Sequence, residues 1–206
     1  MYIPKNFLIN DQQEAIDFIK RFSFGTLVTI ENELPVATHI PFTLKTEQEK
    51  LVLTSHIALA NPQCKTLLNN RVLAIFTEPH AYISPSHYEK ELNVPTWNYI
   101  AVHAYGPANI IEHDHDKLAM LEDMIHFYND TAYLQQWQNL PMDFKLRMIK
   151  GIVGFNIIVD DLQGKQKLSQ NRSDVEKQSI ITSFSKSEDS NEQAIGTYMA
   201  KLQKDV

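Results

Sequence analysis

The chain has 206 residues, 43% of them hydrophobic, with a formal net charge of -6. That length buries one good core with a smaller addition and is too short for two full-sized domains, while the ordinary Gly and Pro content excludes fibrous or wholly disordered classes. The negative balance sets the average field against phosphate and argues against direct, non-specific binding to DNA.

Cys64 is the only cysteine, so neither an intrachain disulfide nor a thiolate cluster is available within one chain. The N-terminal segment lacks a charged stretch followed by an apolar one, and nowhere do about 18 apolar residues run together. A cytoplasmic protein with no membrane partner is the expectation.

In chain order, Asp11 precedes a helical pattern whose apolar face is Ala15, Ile16, Phe18, Ile19 and Phe22. The runs GTLVTI, LPVATHIPFTL and KLVLTSH then predict three strands of an antiparallel meander, separated by polar connectors at 31–33 and 47–49. After Asn61-Pro62, QCKTLLNN predicts a short helix. VLAIFTE follows as a strand whose nearly continuous apolarity suggests burial on both faces.

Residues 79–95 read as loop. WNYIAVHAYGPANIIE predicts a long strand bent at Gly106-Pro107. A helix capped by Asp114 or Asp116 carries Leu118, Leu121, Met124, Ile125 and Tyr128, and MDFKLRMIK makes another. GIVGFNIIVDDLQG returns to strand, and helices interrupted by a mobile polar connector from Ser183 to Asn191 complete the chain.

Four motifs stand in order: SHIALANPQ at 55–63, HAYISPSHY at 80–88, VPTWNYIAVHAYG at 94–106 and KLSQNR at 167–172. Together they resemble the PaiB-type family of FMN-binding negative transcriptional regulators, which is similar in fold to pyridoxamine-phosphate-oxidase-like flavin proteins. The resemblance implies a mainly β fold with α additions: a six-stranded antiparallel split β-barrel over residues 1–165 and a helical extension over 166–206. It also implies a homodimer with FMN at the subunit boundary.

FMN calls for donors and cations around its phosphate, and for a flat bed with a few polar groups at its pyrimidine edge. Two clusters supply such groups. Thr54, Ser55, His56, Asn61 and Gln63 form the first, where the alternative role is to organise a tight strand-to-helix turn.

Trp97, Asn98, Lys167, Gln170 and Arg172 form the second, where the alternatives are core or dimer-interface packing for Trp97 and Asn98 and capping by Ser173 or Asp174 for the helix after Arg172. Trp97 and Tyr99 are expected to point to opposite faces of their strand. Two positions depart from the family pattern: Leu59 stands where arginine is usual and His87 where tryptophan is usual. Leu59 cannot replace a forked cation, which predicts weakened FMN affinity.

No residue identifies a catalytic role; His56, His87 and His103 are named only by titration range. His113 and His115 invite a metal reading, but acidic residues at a helix start already have a dipole rationale, and no metal site is expected. The densest basic group is Lys165, Lys167, Arg172 and Lys177. The expected function is an FMN-binding regulator sensing redox state or a metabolite, with DNA or a protein as partner. The alternatives are a flavin-dependent oxidoreductase and a flavin-free dimeric ligand-binding protein.

Overall fold

A computed structural model describes residues 1–68 and 71–204. Helix α1 spans Gln12–Arg21 and buries Ala15, Phe18 and Ile19, with the Asp11 carboxylate accepting the Gln13 N–H at 2.8 Å. Strands β1 (Phe24–Glu31) and β2 (Leu34–Pro41) form a hairpin whose two turn residues, Asn32 and Glu33, have φ of 50° and 66°. Strands β3 (Thr43–Glu47) and β4 (Lys50–Ala58) repeat the device at Gln48 and Glu49. Two consecutive left-handed residues match the twist of the flanking strands, which fixes the register of both hairpins.

Strand β5 spans Arg71–Ile83 and β6 spans Thr96–Ile111. Helices α2 (Asp114–Phe127), α3 (Thr131–Asn139) and α4 (Met142–Ile149) follow, then β7 (Ile152–Ile158) and β8 (Asp161–Lys167), then α5 (Asp174–Phe184) and α6 (Ser190–Lys204). Hydrogen bonding runs in the order β2-β1-β5-β6-β7-β4-β3, with β8 on β6, and the β1–β2, β1–β5, β3–β4, β4–β7 and β6–β7 ladders are antiparallel.

The fold is therefore mainly β and antiparallel with helical additions, but with eight strands among the described residues where six were expected. Two predicted runs each divide. LPVATHIPFTL becomes β2 and β3, which part at Phe42 to pair with β1 and β4 respectively, and GIVGFNIIVDDLQG becomes β7 and β8.

Further expectations are corrected. The QCKTLLNN helix is a 3₁₀ turn at Pro62–Lys65, and its last two residues, 69 and 70, lie outside the described residues. β5 is not buried on both faces: Val72, Ala74 and Phe76 point inward, Thr77 and Glu78 are both exposed, and alternation resumes with Ala81 and Ile83 inward. That phase slip breaks the alternation in the sequence, and the strand extends to Ile83, into the segment expected to be loop.

β6 runs unbroken through Gly106, where a Cβ would lie 2.0 Å from the Ile158 carbonyl oxygen. Close backbone approach, not a bend, requires glycine there. Helix α2 is preceded by His113, with Asp114 and Asp116 inside its first turn rather than capping it. Helix α3 was not anticipated, though Asp130 caps it by accepting the Tyr133 N–H at 2.9 Å. The connector between α5 and α6 is tied, with Gln193 Nε2 donating to the Ser187 carbonyl at 2.7 Å.

Internal contacts divide the chain into two compact units, one of Met1–Phe18, Phe76–Val102 and Gln163–Val206, the other of Ile19–Ile75 and His103–Leu162. The first unit is cored by Phe18, Phe76, Ile83, Leu168, Ile180 and Ile195; the second by Leu27, Phe42, Leu53, Ile149, Phe155 and Ile157. No helix among the described residues is long and apolar enough to cross a membrane.

Candidate functional site

In the second unit, the 54–63 segment runs from the end of β4 into the 3₁₀ turn. Gln63 is fully buried and spends its amide on protein: Nε2 donates to the carbonyls of Leu27 (3.3 Å) and Val36 (3.2 Å), and Oε1 accepts from Thr38 Oγ1 at 2.5 Å. Asn61 accepts the Gln63 N–H at 2.9 Å and donates to Thr38 Oγ1 at 3.0 Å. These bonds close a ring that pins the turn to β1 and β2, satisfying buried groups that would otherwise cost free energy.

Ser55, also fully buried, donates to the Pro41 carbonyl at 2.6 Å. Thr54 donates to Asn156 Oδ1 at 2.7 Å, at a polar cleft of about 470 Å³ that includes Lys45 and His113. His56 differs from these neighbours. It sits on β4 opposite Gly154, and its Nδ1 is buried with no hydrogen-bond partner among the described residues. Burial pushes the imidazole below its ordinary value, favouring the neutral ring with a free polar nitrogen. His103, on β6, is also pushed down by burial, and its Nδ1 lies 3.5 Å from the Tyr105 hydroxyl. Leu59 is exposed.

In the first unit, β6 and the turn after β8 come together. Asn98 is fully buried, and its Nδ2 donates to Ser169 Oγ at 2.9 Å while that hydroxyl lies 3.2 Å from Asn98 Oδ1. Ser169 adopts a left-handed φ of 61°, which turns the chain sharply between Lys167 and Arg172. Lys167 Nζ donates to Thr96 Oγ1 and, at 2.7 Å, to the Trp97 carbonyl. Burial, then the like charges of Lys165 and Arg172, push the Lys167 ammonium below the usual lysine range.

Gln170 is turned back onto its own loop, accepting the Leu168 N–H and donating to the Gln166 carbonyl, both at 2.7 Å. Arg172 stacks over the Tyr88 ring at 3.7 Å and donates to Asn93 Oδ1 at 2.9 Å. Glu176 takes the Glu89 N–H at 3.1 Å and faces Arg172 at 3.9 Å, so the 84–95 loop is latched to the start of α5. Ser173 caps that helix, accepting the Glu176 N–H at 3.2 Å.

Trp97 is half exposed, with His80 and Tyr82 against it at 5.9 and 6.0 Å between ring centroids. Trp97 and Tyr99 share the less buried face of β6, while Asn98 and Ile100 face inward. The expectation of opposite faces is overturned: a two-residue period puts positions i and i+2 on one side. Thr96 was overlooked, although the same parity with Asn98 places it toward the Lys167 turn. Asn93 and Glu176, which hold Arg172, carried no signal in the sequence.

The four basic residues do not form a free cationic face. Lys165 is buried, donating to the Tyr2 carbonyl at 3.2 Å and lying 5.0 Å from the centre of the Tyr99 ring. Lys177 pairs with Asp174 at 2.7 Å. His87 lies at an open groove of about 1310 Å³ along α5 and α6, its Nδ1 3.4 Å from Ser179 Oγ.

Residues 1–161 match the family described as "Putative FMN-binding domain". The chain is 39% identical, over the full length of both, to the Protease synthase and sporulation protein PAI 2 of Bacillus subtilis. In fold it is similar to the flavocytochrome Anf3 of Azotobacter vinelandii, at a TM-score of 0.62 and 15% identity over 81% of this chain and 72% of that one. It is also similar to the FAD and heme binding protein of Mycobacterium smegmatis, at 0.58 and 16% over 76% and 71%.

Proposed function

The chain belongs to the PaiB-type family of FMN-binding-domain proteins, and from that premise we propose that it is an FMN-binding regulator of gene expression, acting as a homodimer in the cytoplasm. The observation that carries this reading is the end-to-end similarity, at 39% identity, to PAI 2, which is named a protease synthase and sporulation protein.

Each unit offers groups that fit a flavin. His56 supplies a buried nitrogen short of a partner, the kind of group that pairs with a ring N–H or carbonyl. Trp97 supplies an exposed aromatic face, and Lys167 a cation. Thr54, Ser55, Asn61, Gln63, Asn98, Gln170 and Arg172 act by positioning, since their polar atoms hold other parts of the protein. Bound flavin would supply a redox-active ring able to accept a hydride or single electrons.

Regulation through a protein partner or metabolite fits the surface better than direct DNA contact. The net charge is -6, and Lys165, Lys167, Arg172 and Lys177 are engaged within the protein. The test is titration of pure protein with FMN, followed by quenching of flavin fluorescence and repeated with His56→Leu and Trp97→Ala. Saturable quenching weakened in a variant supports a flavin contact by that residue; unchanged affinity in both removes both as flavin contacts.

A further inference from the structure

Charge is left over at one place in the first unit. A cleft of about 150 Å³ is lined by Thr96, Asn98, Lys167, Ser169, Asn171 and Arg172 beside Val94 and Pro95. That space admits a tetrahedral oxyanion.

Its chemistry is one-sided. An ammonium has three donors, and Lys167 uses two of them on Thr96 and the Trp97 carbonyl. The Asn171 amide, on the exposed side of the turn, has no protein partner among the described residues. Arg172 is fixed by Tyr88 and Asn93, so its charge stays at the wall. Among the described residues the only carboxylate within ion-pair reach of Lys165, Lys167 or Arg172 is Glu176, at 3.9 Å from Arg172. Three like charges held together at a partly buried site with one matching carboxylate favour a bound anion. The walls are preformed, because the buried Asn98–Ser169 pair and the left-handed backbone at Ser169 set the turn.

We propose that this cleft seats a phosphate-sized oxyanion, held by Lys167 and Asn171 with Arg172 contributing charge from the wall. The anion has two chemical sources: the phosphate end of the flavin nucleotide, which rests on the reading above, or a free phosphate or phosphomonoester, which does not.

The experiment is thermal unfolding of flavin-free protein at fixed pH in rising sodium phosphate, against sodium chloride at matched ionic strength. Phosphate is expected to raise Tm saturably beyond chloride. The effect should vanish in Lys167→Met and return in Lys167→Arg, and Asn171→Ala should shift the midpoint by about fivefold or more. Saturating with FMN separates the sources: loss of the phosphate effect assigns the cleft to the nucleotide's own phosphate, and persistence assigns it to a separate anion. No phosphate effect beyond chloride overturns the proposal, as does an undiminished effect in folded Lys167→Met. If that variant does not fold, an unchanged midpoint in Asn171→Ala overturns it. Failure of FMN to bind would sink the flavin reading while leaving the phosphate result to stand by itself.

Discussion

The 54–63 segment and the turn from Lys167 to Arg172 carry similar polar residues and use them differently. In the first, Ser55, Asn61 and Gln63 close hydrogen bonds onto their own unit, leaving His56 Nδ1 as the buried polar atom without a partner. In the second, Asn98, Ser169, Gln170 and Arg172 are equally committed, but they build a frame around a cation with capacity to spare. Polar residue type alone does not mark a ligand contact; what remains after the protein's own hydrogen bonds are assigned is the better guide.

Substitution should separate the two regions by how much stability each residue carries. The largest loss is expected for Gln63→Leu, which removes the donor to the Leu27 and Val36 carbonyls and the acceptor of the Thr38 O–H; about 3 kcal/mol in urea unfolding is the expected cost. A cost below about 1 kcal/mol would mean that water or repacking replaces the ring. Asn98→Leu removes the partner of the Ser169 hydroxyl and a weaker contact to Met199 Sδ, and should cost about 2 kcal/mol by the same assay.

A smaller effect is expected in pH dependence. Burial lowers the folded-state values of His56 and His103, so the unfolded chain takes up protons first. Stability should therefore fall as pH drops below about 6.5, the ordinary histidine value, and stop falling from this cause once the folded values are passed. His56→Gln should flatten that slope without abolishing it, since His103 keeps the same sign; an unchanged slope would show that His56 is not held neutral.

The smallest stability change, within about 1 kcal/mol, is expected for Lys167→Met, where relief from Lys165 and Arg172 offsets two lost hydrogen bonds. A loss as large as that of Asn98→Leu would make Lys167 part of the frame and erase the contrast between the regions.

Much of the fold was legible because it is local. The polar pairs Asn32-Glu33 and Gln48-Glu49 marked both hairpins, and Ala15, Phe18 and Ile19 marked the first helix face. The second half of β5 was not, because Thr77 and Glu78 shift its alternation by one residue, and α3 was not, because its capping Asp130 precedes a mixed polar pattern. At the candidate site the motifs named the segments. They could not say that Gln63, Gln170 and Arg172 would be spent on Val36, Gln166 and Asn93, since those partners are distant in sequence or set by a left-handed turn at Ser169.

The central claim is that this chain is a flavin protein. The most direct measurement is the visible absorption spectrum of protein purified without added cofactor, followed by FMN titration of the flavin-free form. A flavin spectrum, or saturable quenching with a matching rise in Tm, is the predicted result. A colourless protein with neither quenching nor stabilisation in excess FMN would contradict it.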